Sequence, residues 1–223
     1  LFIVGFSRGS YAARRLSGLI AHSGVPVSSK DVQRGWEMYL NRDIASAAAL
    51  KAQGRYFDMP VEMIGVWDTV KATNDADYED DRLSPNVVAG YHAMAVDEVR
   101  KFFPVLRWRD NPRVSEVWFS GSHSDVGGGC AAMDLSDVAL KWMMHRGAGH
   151  GLRFSKRYID RHVKPKVPGR LHDAFTGIWK PYGRSDRPIT TACAVHESVA
   201  TQLQAAEDYA PPNMPPEPKY VRG

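Results

Sequence analysis

The chain has 223 residues, with 43% hydrophobic and 24% charged side chains, the balance of a globular protein of one large or two small domains. No apolar run approaches the roughly 20 residues that span a bilayer as a helix, and no basic segment precedes the apolar start as in a signal peptide. The net charge of +4 and pI of about 9.1 are spread along the chain; they suit an anionic partner such as a phospholipid surface, but no zinc-finger, RNA-recognition or basic-zipper pattern is present, so nucleic acid is not expected.

The first element is a strand at residues 1–5 that runs straight into Gly5-Phe6-Ser7-Arg8-Gly9 and then into a helix at 10–22. G-x-S-x-G between a strand and a helix is the pattern of a nucleophile elbow, in which a sharp turn crowds the backbone and demands small flanking residues. The chain lacks an initiator Met and begins inside this strand, so we expect a piece of a longer protein whose N-terminal strands are missing. Residues 30–53 read as a second helical region, alanine-rich in its later half and ended by Gly54. Residues 61–68 (Val-Glu-Met-Ile-Gly-Val-Trp-Asp) read as a buried parallel strand. An acidic stretch at 74–85 reads as a loop or small lid.

A helix is expected over 87–103, stopped by Pro104, and a third strand over 114–120. Residues 121–129 read as a glycine loop, and 134–146 as a helix capped by Asp134 or Ser136. Beyond residue 150 periodic signals weaken. A short helix is expected within 196–208, and 211–218, with five prolines in eight residues, is expected to be extended or disordered. Two cysteines, Cys130 and Cys193, make no disulfide framework and read as reduced, buried thiols.

The order of elements predicts an α/β fold: a mostly parallel sheet of α/β-hydrolase type with crossover helices, residues 1–205 forming the C-terminal part of a catalytic domain and 206–223 a proline-rich tail. In such sheets function gathers at the carboxyl ends of strands. The three predicted strand ends carry Ser7, Asp68 and His123, in the order Ser, Asp, His of an α/β-hydrolase triad. A serine hydroxyl is a weak nucleophile and needs an imidazole to take its proton and a carboxylate to orient that imidazole. Each residue has a plainer reading as well: Asp68 as a turn former, His123 as a hydrogen-bonded loop residue. His196 is an alternative base, and Asp125 either orients a histidine or holds the loop through backbone amides. The Arg8 amide is a candidate oxyanion donor, with the second donor expected from an upstream strand. The other six histidines read as ordinary polar residues. No metal-ligand spacing stands out, since the pair His123 and Asp125 does not define a site, and no cofactor is implied.

Five ordered blocks carry a resemblance: the elbow, Gly65–Val70, Gly121–Gly129, residues 91–98 with 135–143, and Val195–Val199. Together they resemble the α/β-hydrolase domain family that includes the type VI secretion phospholipase effectors. The resemblance implies a Ser7–Asp68–His123 hydrolase of acyl esters, with membrane glycerophospholipids as substrates, no cofactor, a secreted effector's localisation, and secretion-system or immunity proteins as partners. It also implies that residues 91–98 and 135–143 are helices. The family's N-terminal strand, with its Asp-Gly-rich turn, and the membrane-anchoring module of some effectors are not recognisable here. The rival class is a degenerate hydrolase domain that binds a membrane or partner protein without catalysis; the presence of all three triad residue types speaks against it.

Overall fold

Short apolar runs rich in β-branched residues alternate with helices along the chain. The computed structural model, which describes residues 1–71 and 81–223, arranges these runs as six parallel strands. They are β1 (Phe2–Phe6), β4 (Val61–Trp67), β5 (Val87–Ala95), β6 (Val114–Phe119), β7 (Ala194–His196) and β8 (Lys219–Val221), in spatial order β1-β4-β5-β6-β7-β8. A separate antiparallel pair joins β2 (Val25–Pro26) to β3 (Tyr56–Phe57). The mostly parallel α/β sheet expected from the sequence is present.

Both faces are covered, as parallel sheets require. On one side α1 (Arg8–Ser23) sets Ala13 and Ile20 against Ile3, Val61, Ile64 and Val66. On the other, α5 (Asp134–Gly149) sets Ala139, Trp142 and Met143 against Met63, Ala93, Val117 and Phe119. Met63 and Ile64 are neighbours in sequence and serve opposite faces, the period of two of a strand.

Several expectations are corrected. Residues 87–103 do not form a helix: Val87–Ala95 is a strand inside the sheet, paired on both sides, and with it the resemblance of residues 91–98 to a helix falls. Its Ala, Met and Gly content misleads propensity, because small residues are what a strand between two others and beneath Trp142 can hold; Ala93, Met94 and Ala95 are fully buried. The single helical region at 30–53 is two helices, α2 (Val32–Leu40) and α3 (Ile44–Ala52), broken where Arg42 takes φ 54° and Asp43 caps the second through the Ser46 amide at 2.9 Å. The loop 121–129 contains a short helix, α4 (His123–Gly127). Neither Asp134 nor Ser136 caps α5, whose preceding residue is Met133 and which has no side-chain cap. Two further elements lie where signals were weak, α6 (Lys156–His162) and a 3₁₀ turn at Gly177–Tyr182. The helix expected within 196–208 is α7 (Glu197–Ala205). The tail does not stay apart: Lys219–Val221 pairs with β7 as the last strand. Of the acidic stretch 74–85, residues 74–80 lie outside the described residues, while Asp81 is paired with Arg109 at 2.8 Å.

Candidate active site

The turn after β1 is built by sterics. A Cβ on Gly5 would lie 2.4 Å from the Gly9 carbonyl oxygen, so only glycine lets α1 start this close to the strand it follows. Gly9 has open space at its Cβ, so the demand for small residues falls on Gly5 alone. Between them Ser7 takes φ 60° and ψ −126°, a sparsely populated conformation for a residue with a side chain. Such strain costs on the order of 1–3 kcal/mol and persists only where surrounding contacts enforce it. The Ser7 amide donates to the Trp67 carbonyl at 3.0 Å, and the Ser10 hydroxyl lies 2.6 Å from the Gly5 carbonyl and 2.9 Å from that of Trp67. These bonds tie the turn to β1 and β4 together. Arg8 opens α1, where the first amides have no intrahelical acceptor and the helix dipole favours negative charge.

Asp68 follows β4 directly, fully buried, with φ 41°. Its two carboxylate oxygens take four donors. Oδ1 accepts from the Ala95 amide at 2.9 Å and Arg187 at 2.5 Å; Oδ2 accepts from His123 Nδ1 at 2.6 Å and the other Arg187 nitrogen at 2.9 Å. Burial by itself pushes the carboxyl up, but the Arg187 guanidinium and the hydrogen bonds from His123 and Arg187 overturn this and hold it well below the usual carboxylate range. The group is a fixed anion.

His123 begins α4, inside a capping box in which Ser122 and Asp125 exchange hydrogen bonds. Because Asp68 only accepts, Nδ1 of His123 carries a proton, so in the neutral imidazole Nε2 is the nitrogen with the free lone pair. The ring is held between Phe6, at 4.5 Å, and Phe103, at 5.2 Å, between centroids. Phe6, the residue before Ser7, reaches the ring because Gly127 leaves it room: a Cβ there would lie 2.0 Å from the Phe6 ring. Thus Phe6 at the end of β1 and Asp68 after β4 both meet the ring of His123 at the start of α4, which follows β6, with β5 between β4 and β6 supplying the amide beneath Asp68. Beside them a cavity of about 380 Å³ is lined mainly by apolar side chains, among them Val4, Phe6, Trp67, Val126, Met133 and Leu140.

His196 sits elsewhere. It caps α7, its Nδ1 accepts from the Ser198 amide at 3.2 Å, and its ring stacks on Phe119 at 4.7 Å. Burial pushes its pKa down to about 4. Asp125 does both things weighed for it: Oδ2 accepts from the Ser122 amide and hydroxyl, each at 2.9 Å, and Oδ1 faces His172 Nδ1 at 2.5 Å. With the His172 amide also donating to Oδ2, at 3.1 Å, four donors occupy the carboxylate. Cys130 lies in the same group, its ligand atom within 4.8 Å of those of Asp125 and His172, and burial followed by the Asp125 charge pushes its thiol up. We read this group as a hydrogen-bonded clamp that fastens the segment around residue 172 to α4. Cys130 is half-buried and Cys193 buried, both as free thiols.

Three residues of the site escaped the sequence. Arg187 lies in an irregular Pro-flanked stretch 119 residues from Asp68, where no local pattern marks it. His172 is equally unmarked. His92, set aside as an ordinary polar residue, is fully buried on β5; its Nε2 accepts from the Thr69 amide at 3.0 Å and its Nδ1 faces Glu116 at 3.1 Å, which fixes the backbone just after Asp68.

The model of the family described as type VI secretion system phospholipase effector Tle1-like, catalytic domain, matches residues 1–146. The chain belongs to this family. The match takes in Ser7, Asp68 and His123 and stops short of Arg187. The chain is 34% identical over 70 residues to the Saccharomyces cerevisiae (strain ATCC 204508 / S288c) uncharacterised protein YEL023C, 29% of this chain and 8% of that protein. Among solved structures it is similar to an uncharacterised protein from Pseudomonas aeruginosa, with 22% identity, a TM-score of 0.49, and coverage of 74% of this chain and 26% of that one. It is also similar to the Tle1 effector solved bound to the VgrG spike of the type 6 secretion system, with 24% identity, a TM-score of 0.36, and coverage of 59% and 24%. The chain therefore spans about a quarter of these two structures and under a tenth of the yeast protein.

Proposed function

We propose that this chain carries the catalytic centre of a serine hydrolase that cleaves carboxylic esters of glycerophospholipids through an acyl-enzyme. The observation that carries the reading is the 2.6 Å contact between His123 Nδ1 and the ionised Asp68, and a serine held in a strained turn at the end of the strand paired with the one before Asp68 supports it. With Nδ1 engaged, Nε2 of His123 is the nitrogen that takes the Ser7 proton as Oγ attacks the ester carbonyl. The buried Asp68 carboxylate stabilises the imidazolium that forms. The Arg8 amide at the start of α1 donates to the oxyanion of the tetrahedral intermediate. His123 then protonates the departing alcohol, and water, deprotonated by the same nitrogen, releases the acid and restores Ser7. The apolar cavity beside Phe6 and Trp67 suits an acyl chain. Family membership supports phospholipid as the substrate class and a component of the secretion machinery, with a matching immunity protein, as partners.

Ser7→Ala in the full-length protein is the test, read with p-nitrophenyl esters, phospholipid vesicles and a fluorophosphonate probe. Loss of a triad nucleophile costs on the order of 10⁶ in kcat, and the probe labels the parent and not the variant. A variant that keeps more than about a tenth of the parent's activity, against that expectation, removes Ser7 from the role.

A further inference from the structure

We propose that the face built by residues 100–103 and the 3₁₀ turn at 177–182 is a membrane-docking surface that seats an anionic bilayer next to the site. The two segments are joined by backbone hydrogen bonds, from the Lys101 amide to Gly183 and from the Ser185 amide to Val99. Between them they expose large apolar side chains that a folded protein ordinarily covers: Ile178 is 75% exposed, Phe102 62% and Tyr182 53%. Lys101, Lys180 and Arg184 stand among them, exposed and in no ion pair among the described residues. Asp186 is the one acidic residue in the sequence from 177 to 187. Apolar and aromatic residues interleaved with unpaired cations match the two layers of an anionic bilayer surface, acyl boundary and phosphate plane. Charge complementarity thus selects the lipid surface as the occupant.

The mounting of this face ties it to the site. Trp179 packs on Phe103 at 5.2 Å, and Phe103 packs on the His123 ring at 5.2 Å. The Arg100 guanidinium lies 3.6 Å from the centre of the Phe103 ring and 5.1 Å from that of Trp179. Glu98 holds Arg100 at 2.6 Å and also accepts the His123 amide at 3.3 Å. A surface anchored through these contacts keeps a fixed orientation to His123, so a bilayer resting on it presents its esters to the site in one geometry. The choice of occupant rests on the phospholipid reading above, while binding itself needs no turnover.

Co-sedimentation of the full chain, in a Ser7→Ala background, with phosphatidylcholine vesicles with and without phosphatidylglycerol tests this. The parent partitions onto the phosphatidylglycerol vesicles, more weakly at high salt and onto phosphatidylcholine alone. Phe102→Asp and Ile178→Asp each lower partitioning about tenfold or more, since each places a charge in the apolar layer. Lys101→Glu with Lys180→Glu removes the dependence on phosphatidylglycerol, and Ile44→Asp, at an equally exposed apolar residue of α3, changes nothing. Thermal unfolding checks that each variant is folded; should an apolar variant unfold, the lysine pair, which alters exposed charges alone, decides. A parent that does not sediment, patch variants that bind like the parent, or an equal loss at Ile44 overturns the proposal. Binding of the Ser7→Ala form through this face, together with a protein that keeps Ser7 yet hydrolyses no ester, overturns the proposed function and leaves this inference standing.

Discussion

Replacing Arg187 with methionine separates a structural anion from a supported one. Arg187 is 4% exposed and spends its guanidinium on four acceptors: both oxygens of Asp68 and the carbonyls of Ala95, at 3.0 Å, and Phe103, at 2.7 Å. Methionine keeps much of the volume and removes every donor. Breaking a buried pair from one side strands a charge, which costs about 3–5 kcal/mol. For a chain of this size that corresponds to a fall of very roughly 6–20 °C in Tm, at 2–4 °C per kcal/mol. The pH dependence identifies the cause. In the parent the folded Asp68 pKa is depressed, so its contribution is present above the unfolded carboxylate range and is lost as pH falls through the lower folded value. In the variant, burial opposes ionisation with only the His123 contact and the Ala95 amide to resist it. The stability gap between parent and variant is therefore widest near neutral pH and narrows as pH falls through the usual carboxylate range toward the parent's lower folded value. Ester hydrolysis falls with it, and its acid limb moves to higher pH as Asp68 protonates more readily. Urea unfolding of both proteins across pH 3–8, with pH–rate profiles on a soluble ester, reads both effects. A gap that is constant with pH, or a variant with the parent's acid limb, refutes the assignment of Arg187 as the group that keeps Asp68 ionised.

Gly5→Ala forces a Cβ onto the Gly9 carbonyl and should cost about 1–3 kcal/mol or more together with most of the activity, whereas Gly9→Ala, with open space, should be neutral or stabilising by up to about 1 kcal/mol; equal Tm values for the two would show that the crowding is not real. Asp97 is a buried carboxyl pushed up to about 6, against its Gly121 and Tyr209 donors, so its contribution to stability is full below about pH 4 and lost as pH rises through 6. Asp97→Asn should therefore gain on the parent between pH 4 and 7, by at most roughly 3 kcal/mol at 1.36 kcal/mol per unit; denaturation midpoints that run parallel across this range would contradict it. His123→Ala should abolish ester hydrolysis, while His196→Asn, which keeps an oxygen able to cap α7, should retain it; the reverse outcome in a steady-state assay would move the base to His196.

The tight turn after β1, the strands at 61–67 and 114–119, and the positions of Ser7 and Asp68 just past strand ends were legible because each rests on local signals: an apolar run, a required glycine, a residue at a strand end. Which histidine meets Asp68 was not decided there, since His123 and His196 both lie beside strands and only the sheet order sets β6 two strands from β4 and β7 three. Residues 87–95 misled for a related reason. Helix propensity is a property of the residue and its neighbours, and it yields where two flanking strands and Trp142 bury a segment from all sides. The last strand, Lys219–Val221, forms because the exposed edge of β7 offers hydrogen bonds that nothing in three residues can announce. Arg187 is the clearest case. A buried carboxylate needs a counter-charge, and no local pattern marks Arg187 as the one that supplies it; the partner comes from 119 residues away because folding alone brings the two together, and its energy depends on desolvation that exists only in the folded state.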